Sequence, residues 1–314
     1  MQDEWVPFWP RSGAASATTV DAITIGELVL MVGILALVFG MMLTFCIRYR
    51  RGSRRRRTPV STASWKFEVA WTTATLFGFL VLFVFGANAY VDLFKSPPHP
   101  DLELYVVGKQ WMWKVQHPGG QREIDAMHVP VNRTVKLLLA SEDVIHDFYI
   151  PAFRLKRDVV PGQLESFWFK ATHPGDYRLE CGEYCGTEHA HMIGSVIVQS
   201  PGDYARWLNE QGVSGSMAQQ GEALFRRLGC SGCHGENSTV HAPSLAGLYG
   251  TIVHIEDGRT MTADDRYIRD CILIPKTQVV AGYPPVMPSF QGQVSEEEMM
   301  QLLAYIKSLS PGAS

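Results

Sequence analysis

Cys181-Gly-Glu-Tyr-Cys185-Gly-Thr-Glu-His189-Ala-His-Met192 is the stretch on which the reading of this chain turns. Two cysteines stand four apart, a histidine follows four later, and a methionine three after that. Thiolate, imidazole and thioether are soft donors, and soft donors select copper, zinc or iron–sulfur over magnesium or calcium. Tyr177 and Leu179 before the stretch, and Val196 and Val198 after it, alternate as strands do. The donors therefore fall on a loop between strands. A closed zinc site more often uses C-x-x-C pairs, whereas three residues separate these cysteines. A Cys181–Cys185 disulfide is the simpler alternative, but it leaves His189 and Met192 unexplained. A second histidine must come from another strand. His146, in Ser141-Glu-Asp-Val-Ile-His-Asp147 with Pro151 beyond it, is the leading candidate; His128, His173 and His191 compete.

Around this loop the pattern is one of short alternating runs: Leu102/Leu104/Val106, Val135/Leu137/Leu139 and Leu164/Ser166/Trp168. Pro118-Gly-Gly120, Pro161-Gly162 and Pro174-Gly175 separate them. Short strands with turns at this spacing predict an all-β sandwich over 96–200, closed by Pro201-Gly202. Upstream, Leu28–Ile47 holds 20 residues without a charge, about 30 Å of helix and the thickness of a bilayer core. Val69–Val91 is a second such run. The expectation is a transmembrane helical hairpin over 25–95, with spans at 25–47 and 69–91 and a basic loop at 48–66. That loop carries eight cations from Arg48 to Lys66 and no acid. Basic loops stay in the cytoplasm, so both chain ends face outward. Residues 1–24 form an external segment with Trp5, Phe8 and Trp9 and no evident signal peptide. Ser96-Pro-Pro-His-Pro100 reads as a stiff linker. Glu68 reads first as an interfacial polar group at the start of the second span.

The chain has 314 residues, 46% of them hydrophobic, and a net charge of −3. From residue 92 onward, 19 basic face 26 acidic residues, so the charge split is a membrane topology signal and excludes nucleic acid as a partner. The six cysteines fall in two tight pairs, Cys181/Cys185 and Cys230/Cys233, plus the single Cys46 and Cys271, which is no disulfide ladder.

Residues 201–216 read as a linker with a helical piece around Tyr204–Leu208. From 217 to 314 the period is helical, through Met217, Gly221, Leu224 and Phe225 and again through Met299, Leu302, Leu303 and Ile306. Cys230-Ser-Gly-Cys233-His234 is C-x-x-C-H, the attachment signature of c-type haem. Two thiols three apart can each add to a vinyl group, and the next imidazole reaches the iron; a zinc site or redox disulfide is the alternative. Met287, in Tyr283-Pro-Pro-Val-Met-Pro-Ser289, is the expected sixth ligand, with Met261, His241 and His254 as competitors. This segment resembles class I cytochrome c: an amphipathic helix ends in the haem motif, followed by Ala242-Pro-Ser-Leu-Ala-Gly-Leu-Tyr-Gly250, the methionine loop and a closing helix. The resemblance implies that Pro243 fixes His234 through its carbonyl. Ser244 stands where the family commonly has asparagine.

Taken together, the hairpin, Gln110-Trp-Met-Trp113, Glu142-Asp-Val-Ile-His146, Lys156-Arg-Asp-Val-Val-Pro-Gly162 and C-x-E-x-C-x-x-x-H-x-x-M resemble subunit II of haem–copper cytochrome c oxidase over residues 20–200. The fused haem segment matches the bacterial variety with a C-terminal cytochrome c domain. The resemblance implies a multidomain membrane protein: a two-helix transmembrane hairpin, a cupredoxin-like sandwich and a small all-α cytochrome c domain. It implies a dinuclear copper centre, CuA, with Cys181 and Cys185 bridging, His146, His189 and Met192 as ligands, and Glu183 giving its backbone carbonyl. The Glu183 side chain would turn to a magnesium ion shared with subunit I. Trp111 would pass electrons to CuA, and Glu68 would mark the entrance of a proton path into subunit I. One departure is Trp71-Thr-Thr-Ala-Thr75, where the family has Trp-Thr-x-x-Pro; it puts the proline kink in doubt.

The implied function is an electron wire from an external donor through haem c and CuA to the oxygen-reducing centre of subunit I, with coupled proton pumping. Subunits I and III, a cytochrome c donor and membrane lipid are the implied partners. The implied location is the bacterial inner membrane, with the CuA and cytochrome domains on the periplasmic or outer side. Alternatives are an electron-input subunit of a nitric oxide or nitrous oxide reductase and a membrane copper-handling protein. A copper carrier, however, has no use for a covalently attached haem. A quinol oxidase subunit lacks the cysteine pair and is excluded to the extent that Cys181 and Cys185 hold copper.

Overall fold

A computed structural model describes residues 9–55, 65–95, 99–213, 215–235, 238 and 240–310. Trp5 and Phe8, Arg56 and Arg57, and the Ser96-Pro-Pro98 part of the expected linker lie outside the described residues. The chain divides into two compact units, residues 16–95 and the remainder.

The first unit is two helices, α1 (Ala15–Arg48) and α2 (Trp65–Phe94). Their 34 and 30 residues give about 50 and 45 Å, so each is longer than the uncharged run that predicted it. The first ten residues of α1 fall in what the sequence suggests is an external segment. Both helices are apolar on every side, and Leu37, Leu43, Phe77 and Phe83 stand 60% or more exposed. Such a surface is stable in lipid or against other helices. The helices lie close to each other at Gly26, where an added methyl would make an ordinary 3.6 Å contact with the Leu82 side chain. No proline interrupts α2 at position 75; the Thr75 hydroxyl donates to the Trp71 carbonyl at 2.9 Å, four residues back, and the helix continues.

In the second unit, ten strands form a two-sheet sandwich. One sheet has the order β3 (Arg122–Ile124), β2 (Met112–Gln116), β1 (Leu102–Lys109), β5 (Thr134–Ser141), β8 (Glu165–Lys170). The other runs β4 (Ala126–Pro130), β10 (Ile193–Gln199), β9 (Gly175–Cys181), β6 (His146–Ile150), β7 (Leu155–Val159). Leu104, Val106, Leu137 and Leu139 are fully buried, as their alternation predicts. On β8 the register differs by one residue. Phe167 and Phe169 are the buried pair, facing Leu137 and Val135 across the ladder, and Ser166 and Trp168 point the other way. Since side-chain direction alternates with period two, a one-residue slip exchanges the faces of the whole strand.

The segment expected as a linker is a helix, α3 (Pro201–Glu210), started by Ser200 accepting from the Asp203 amide and by Pro201 in the first turn. It lies on the sandwich. Its Trp207 ring stacks on His128 at 4.2 Å and its Tyr204 hydroxyl meets His117 Nδ1 at 3.0 Å. The C-terminal part contains α4 (Met217–Arg227), α5 (Ser231–His234), a ribbon of β11 (Ile252–His254) and β12 (Thr260–Thr262), α6 (Asp265–Leu273) and α7 (Glu296–Ser308). Complete capping boxes start α4 at Ser216/Gln219 and α7 at Ser295/Glu298. The two helices cross at Gly221, where a methyl would sit 2.0 Å from the Gln301 carbonyl oxygen; only glycine allows that approach. Tyr105, Leu138, Ala140 and Leu164 of the sandwich belong to the same buried apolar cluster as Met217, Met299, Met300 and Leu303. This explains why β1 is buried on both faces.

Candidate metal centres

Strand β9 ends at Cys181 and β10 begins at Ile193, so the soft-donor stretch is the connection between two paired strands. His146 opens β6, which pairs with β9 through Phe148↔Cys181, and this pairing brings the distant histidine to the loop. Cys181 Sγ lies 3.7 Å from Cys185 Sγ, 3.2 Å from the Glu183 carbonyl oxygen and 3.9 Å from His146 Nδ1. Cys185 Sγ lies 3.4 Å from His189 Nδ1 and 3.8 Å from Met192 Sδ. His146, Cys181 and Cys185 offer donor atoms all within 4.8 Å of one another. His146, Cys181, Cys185 and Met192 are all buried, and every cysteine among the described residues is a free thiol. Burial raises both thiols of the pair. The His146 ring and the nearby backbone bring Cys181 below the usual thiol range, and burial together with the neighbouring Cys181 drives Cys185 well above it. Two sulfurs that cannot both carry a charge without compensation suit a cationic metal pair.

The competing histidines go elsewhere. His128 bonds to Glu123 at 2.5 Å, His173 to Thr172 at 2.9 Å, and the exposed His191 to Glu188 at 2.6 Å.

Supporting residues not apparent from the donor spacing surround the site. Asp143 Oδ1 lies 2.9 Å from His146 Nε2, which leaves Nδ1 as the free donor toward the cysteines. The Gln110 and Val144 amides hold that carboxylate at 2.8 and 2.7 Å. Trp113 is fully buried, 5.8 Å edge-on from the His146 ring, and a methyl at Gly108 would meet both rings at 3.0 and 3.1 Å. Gln110 donates to the Cys185 carbonyl at 2.7 Å. Trp111, half-buried, packs on the turn beyond Cys185: a methyl at Gly186, whose φ is +127°, would meet its ring at 3.2 Å. The one sequence signal for these residues is closeness to the Gln110–Trp113 and Glu142–His146 motifs. Glu183 and Tyr184 are exposed on the same loop. Glu68 is in the first turn of α2.

The C-x-x-C-H motif forms a short helix after α4, where Gly229, at φ +77°, turns the chain. Cys230, Cys233 and His234 line a cavity of about 210 Å³ whose walls are mainly apolar, among them Phe225, Leu245 and Ile268. His234 Nδ1 donates to the Pro243 carbonyl at 2.9 Å, leaving Nε2 as the available donor. Met287 and His241 also line the cavity, while Met261 and His254 lie on the β12 and β11 ribbon. His241 stacks on Tyr283 at 4.6 Å. Two free thiols, a tethered imidazole and a thioether around one apolar cavity fit a covalently held haem.

Comparison with known proteins gives a family match for each of the two C-terminal parts. Residues 121–200 match the family model for the periplasmic domain of cytochrome c oxidase subunit II, and residues 218–310 match the cytochrome c family model. Cytochrome c oxidase subunit 2 of Alkalihalophilus pseudofirmus is 27% identical over 300 residues, covering 90% of this chain and 85% of the relative. The subunit 2 of Cereibacter sphaeroides is 30% identical over 215 residues, covering 55% of this chain and 70% of the relative. The crystal structure of the periplasmic domain of subunit II of the Bradyrhizobium japonicum cytochrome oxidase is 33% identical, with a TM-score of 0.35, covering 36% of this chain and 95% of that one.

Proposed function

The chain belongs to the cytochrome c oxidase subunit II family, and from that premise we propose how its residues serve electron transfer to the oxygen-reducing subunit. It has an electron-transfer role in a haem–copper oxidase, associates with other oxidase subunits and a cytochrome c donor, and carries copper and haem domains. The observation that carries the finer reading is the meeting of two thiols, one imidazole, a thioether and a carbonyl on one interstrand loop with the His146 imidazole from β6.

Cys181, Cys185, His146, His189, Met192 and the Glu183 carbonyl would together hold a dinuclear copper centre. Cys230 and Cys233 would hold haem c covalently, with His234 and Met287 on its iron and Pro243 orienting His234. When bound, the two groups supply one-electron chemistry that passes reducing equivalents from an external cytochrome c toward subunit I. The chain's own residues do the preparation. Asp143 fixes the tautomer of His146. Burial of both cysteines keeps water away from the sulfurs. Strands β9 and β10 hold the donors in one arrangement, so little reorganisation opposes a change of charge. Trp111, packed on the Cys185–Gly186 turn, is assigned the entry to the copper site. The exposed Glu183 carboxylate is assigned to a magnesium ion shared with subunit I, and Glu68 to a proton-path entrance there, and coupled proton pumping and a subunit III partner are part of the same proposal. The hairpin would lie in the bacterial inner membrane with the remainder on the periplasmic or outer side.

The test is an electron paramagnetic resonance and near-infrared spectrum of the full chain in detergent, loaded with copper and haem. One unpaired electron spread over two copper nuclei, beside a low-spin haem, is expected. A mononuclear copper signal, or copper that fails to bind, would overturn the reading.

A further inference from the structure

The contact between the sandwich and the C-terminal domain contains a group of charges that the metal centres do not use. Glu103 on β1 and Lys136 on β5 belong to the sandwich; Asp265 on α6 and Lys307 on α7 belong to the other side. Lys307 Nζ lies 2.9 Å from Asp265 and 2.5 Å from Glu103; Lys136 Nζ lies 3.0 Å from Glu103 and 3.0 Å from Asp265. Each lysine thus holds one carboxylate of its own side and one from across the contact. None of the four side chains is more than 16% exposed. Tyr105 donates to Glu103 at 2.9 Å, Tyr249 donates to Asp265 at 3.0 Å, and the Lys307 ammonium sits 4.9 Å from the Tyr249 ring. Two positive and two negative charges close on themselves with no net charge.

Around this square the contact is apolar, through Tyr105, Leu138, Ala140 and Leu164. At its edge Arg269, 2% exposed, donates to the Gly162 carbonyl at 2.8 Å and to Glu296 at 2.6 Å. Lys114 on β2, the strand that follows Trp111, bonds Glu297 of α7 at 2.6 Å. Encounter surfaces between mobile partners are small and keep their charges wet at the rim. Here the charges are central, desolvated and mutually satisfied, which is costly to assemble and costly to break.

We propose that Glu103, Lys136, Asp265 and Lys307 are positioning residues that lock the haem-binding domain permanently on the sandwich, making it a fixed relay and not a carrier that swings on the 211–216 segment. The positioning role rests on the electron-transfer reading above; the locking itself does not.

The experiment inserts a site-specific protease sequence between Gln211 and Gly212, in the exposed stretch after α3, and cuts the full chain in detergent. The two fragments are expected to co-elute on size exclusion at high salt. Fragments that separate would overturn the lock. Lys307→Met leaves one carboxylate of the square uncompensated and is expected to weaken retention about a hundredfold or more, with Lys307→Met/Asp265→Asn recovering most of it. The haem absorption reports that the variant domain is still folded. Retention equal to wild type in a folded Lys307→Met would remove the square from the mechanism. In the uncut, loaded chain, haem-to-copper transfer after photoreduction is expected in a single phase whose rate is insensitive to glycerol. A rate falling in proportion to viscosity would mean a mobile domain. Co-eluting fragments in a chain that transfers no electron would support the lock and overturn the functional reading.

Discussion

His146 can serve copper through one ring nitrogen because Asp143 occupies the other at 2.9 Å. A histidine ligand without such a partner loses both its tautomer and its orientation, typically for a 10–100-fold loss of metal affinity. Asp143→Ala is therefore expected to weaken copper retention by about that factor, measured by competition with a chelator, while the haem spectrum is unchanged. The two centres also separate at single residues. Met192 Sδ lies 3.8 Å from Cys185 Sγ among the proposed copper donors, and Met287 lines the cavity proposed for haem. Met192→Leu should alter the copper spectrum alone and Met287→Ala the haem spectrum alone; either variant disturbing both while folded would refute the division. The donors were legible in the sequence because five of the six lie within twelve consecutive residues, where chain spacing limits geometry. Asp143, Gly108 and Gly186 were not, because their role depends on which strand crosses which, and no spacing rule encodes that.

At the scale of elements, α3 shows how a polar cluster ties a helix to a sheet. Glu123 is buried and accepts from His117 at 2.7 Å and from His128 at 2.5 Å, while Tyr204 of α3 meets the far side of His117 and Trp207 stacks on His128. Burial alone would raise the Glu123 carboxyl, but its two histidines and the His128 amide hold it down at about 2. A carboxyl depressed on folding contributes stability that is complete above its unfolded value and drains away as pH falls through the folded one. The contribution of Glu123 is thus held above about pH 4.3 and lost progressively toward pH 2. Glu123→Leu leaves the buried His117 and the partly buried His128 donors without this acceptor and should cost about 2–4 kcal/mol in urea titration at pH 7. The gap to wild type should shrink below pH 4. A constant difference across that range would remove the carboxylate from the explanation. The sequence suggested a linker here because only a short helical piece is visible beyond Pro201-Gly202. The one-residue slip on β8 has a related cause. The alternation assigns Leu164 to the sandwich face, yet it is buried with the C-terminal domain, so a pattern that starts from it is one residue out of register.

For the whole molecule, the order of parts was readable from composition alone: two uncharged runs, then alternation, then a helical period ending on C-x-x-C-H. How the last two parts join was not, because the joining residues look like ordinary strand residues. Tyr105 and Leu138 occupy positions that would face solvent in an isolated sandwich, and both are at least 96% buried here. That makes the effect of a single substitution depend on whether the C-terminal domain is present. In the full chain, Leu138→Thr removes buried apolar contact and should cost about 2–3 kcal/mol. In a chain ending at Glu210, the same leucine lies bare on an open sheet face, a position that invites association. There Leu138→Thr should leave stability within about 0.5 kcal/mol while raising the concentration at which the protein stays monomeric. The measurement is a pair of urea titrations and a pair of light-scattering series, full and shortened, each with and without the change. Equal costs in both backgrounds would mean that the sheet face is not covered by the haem-binding domain in solution. Opposite outcomes would show the two domains sharing one core, the condition under which a haem can stand at a fixed distance from the copper site.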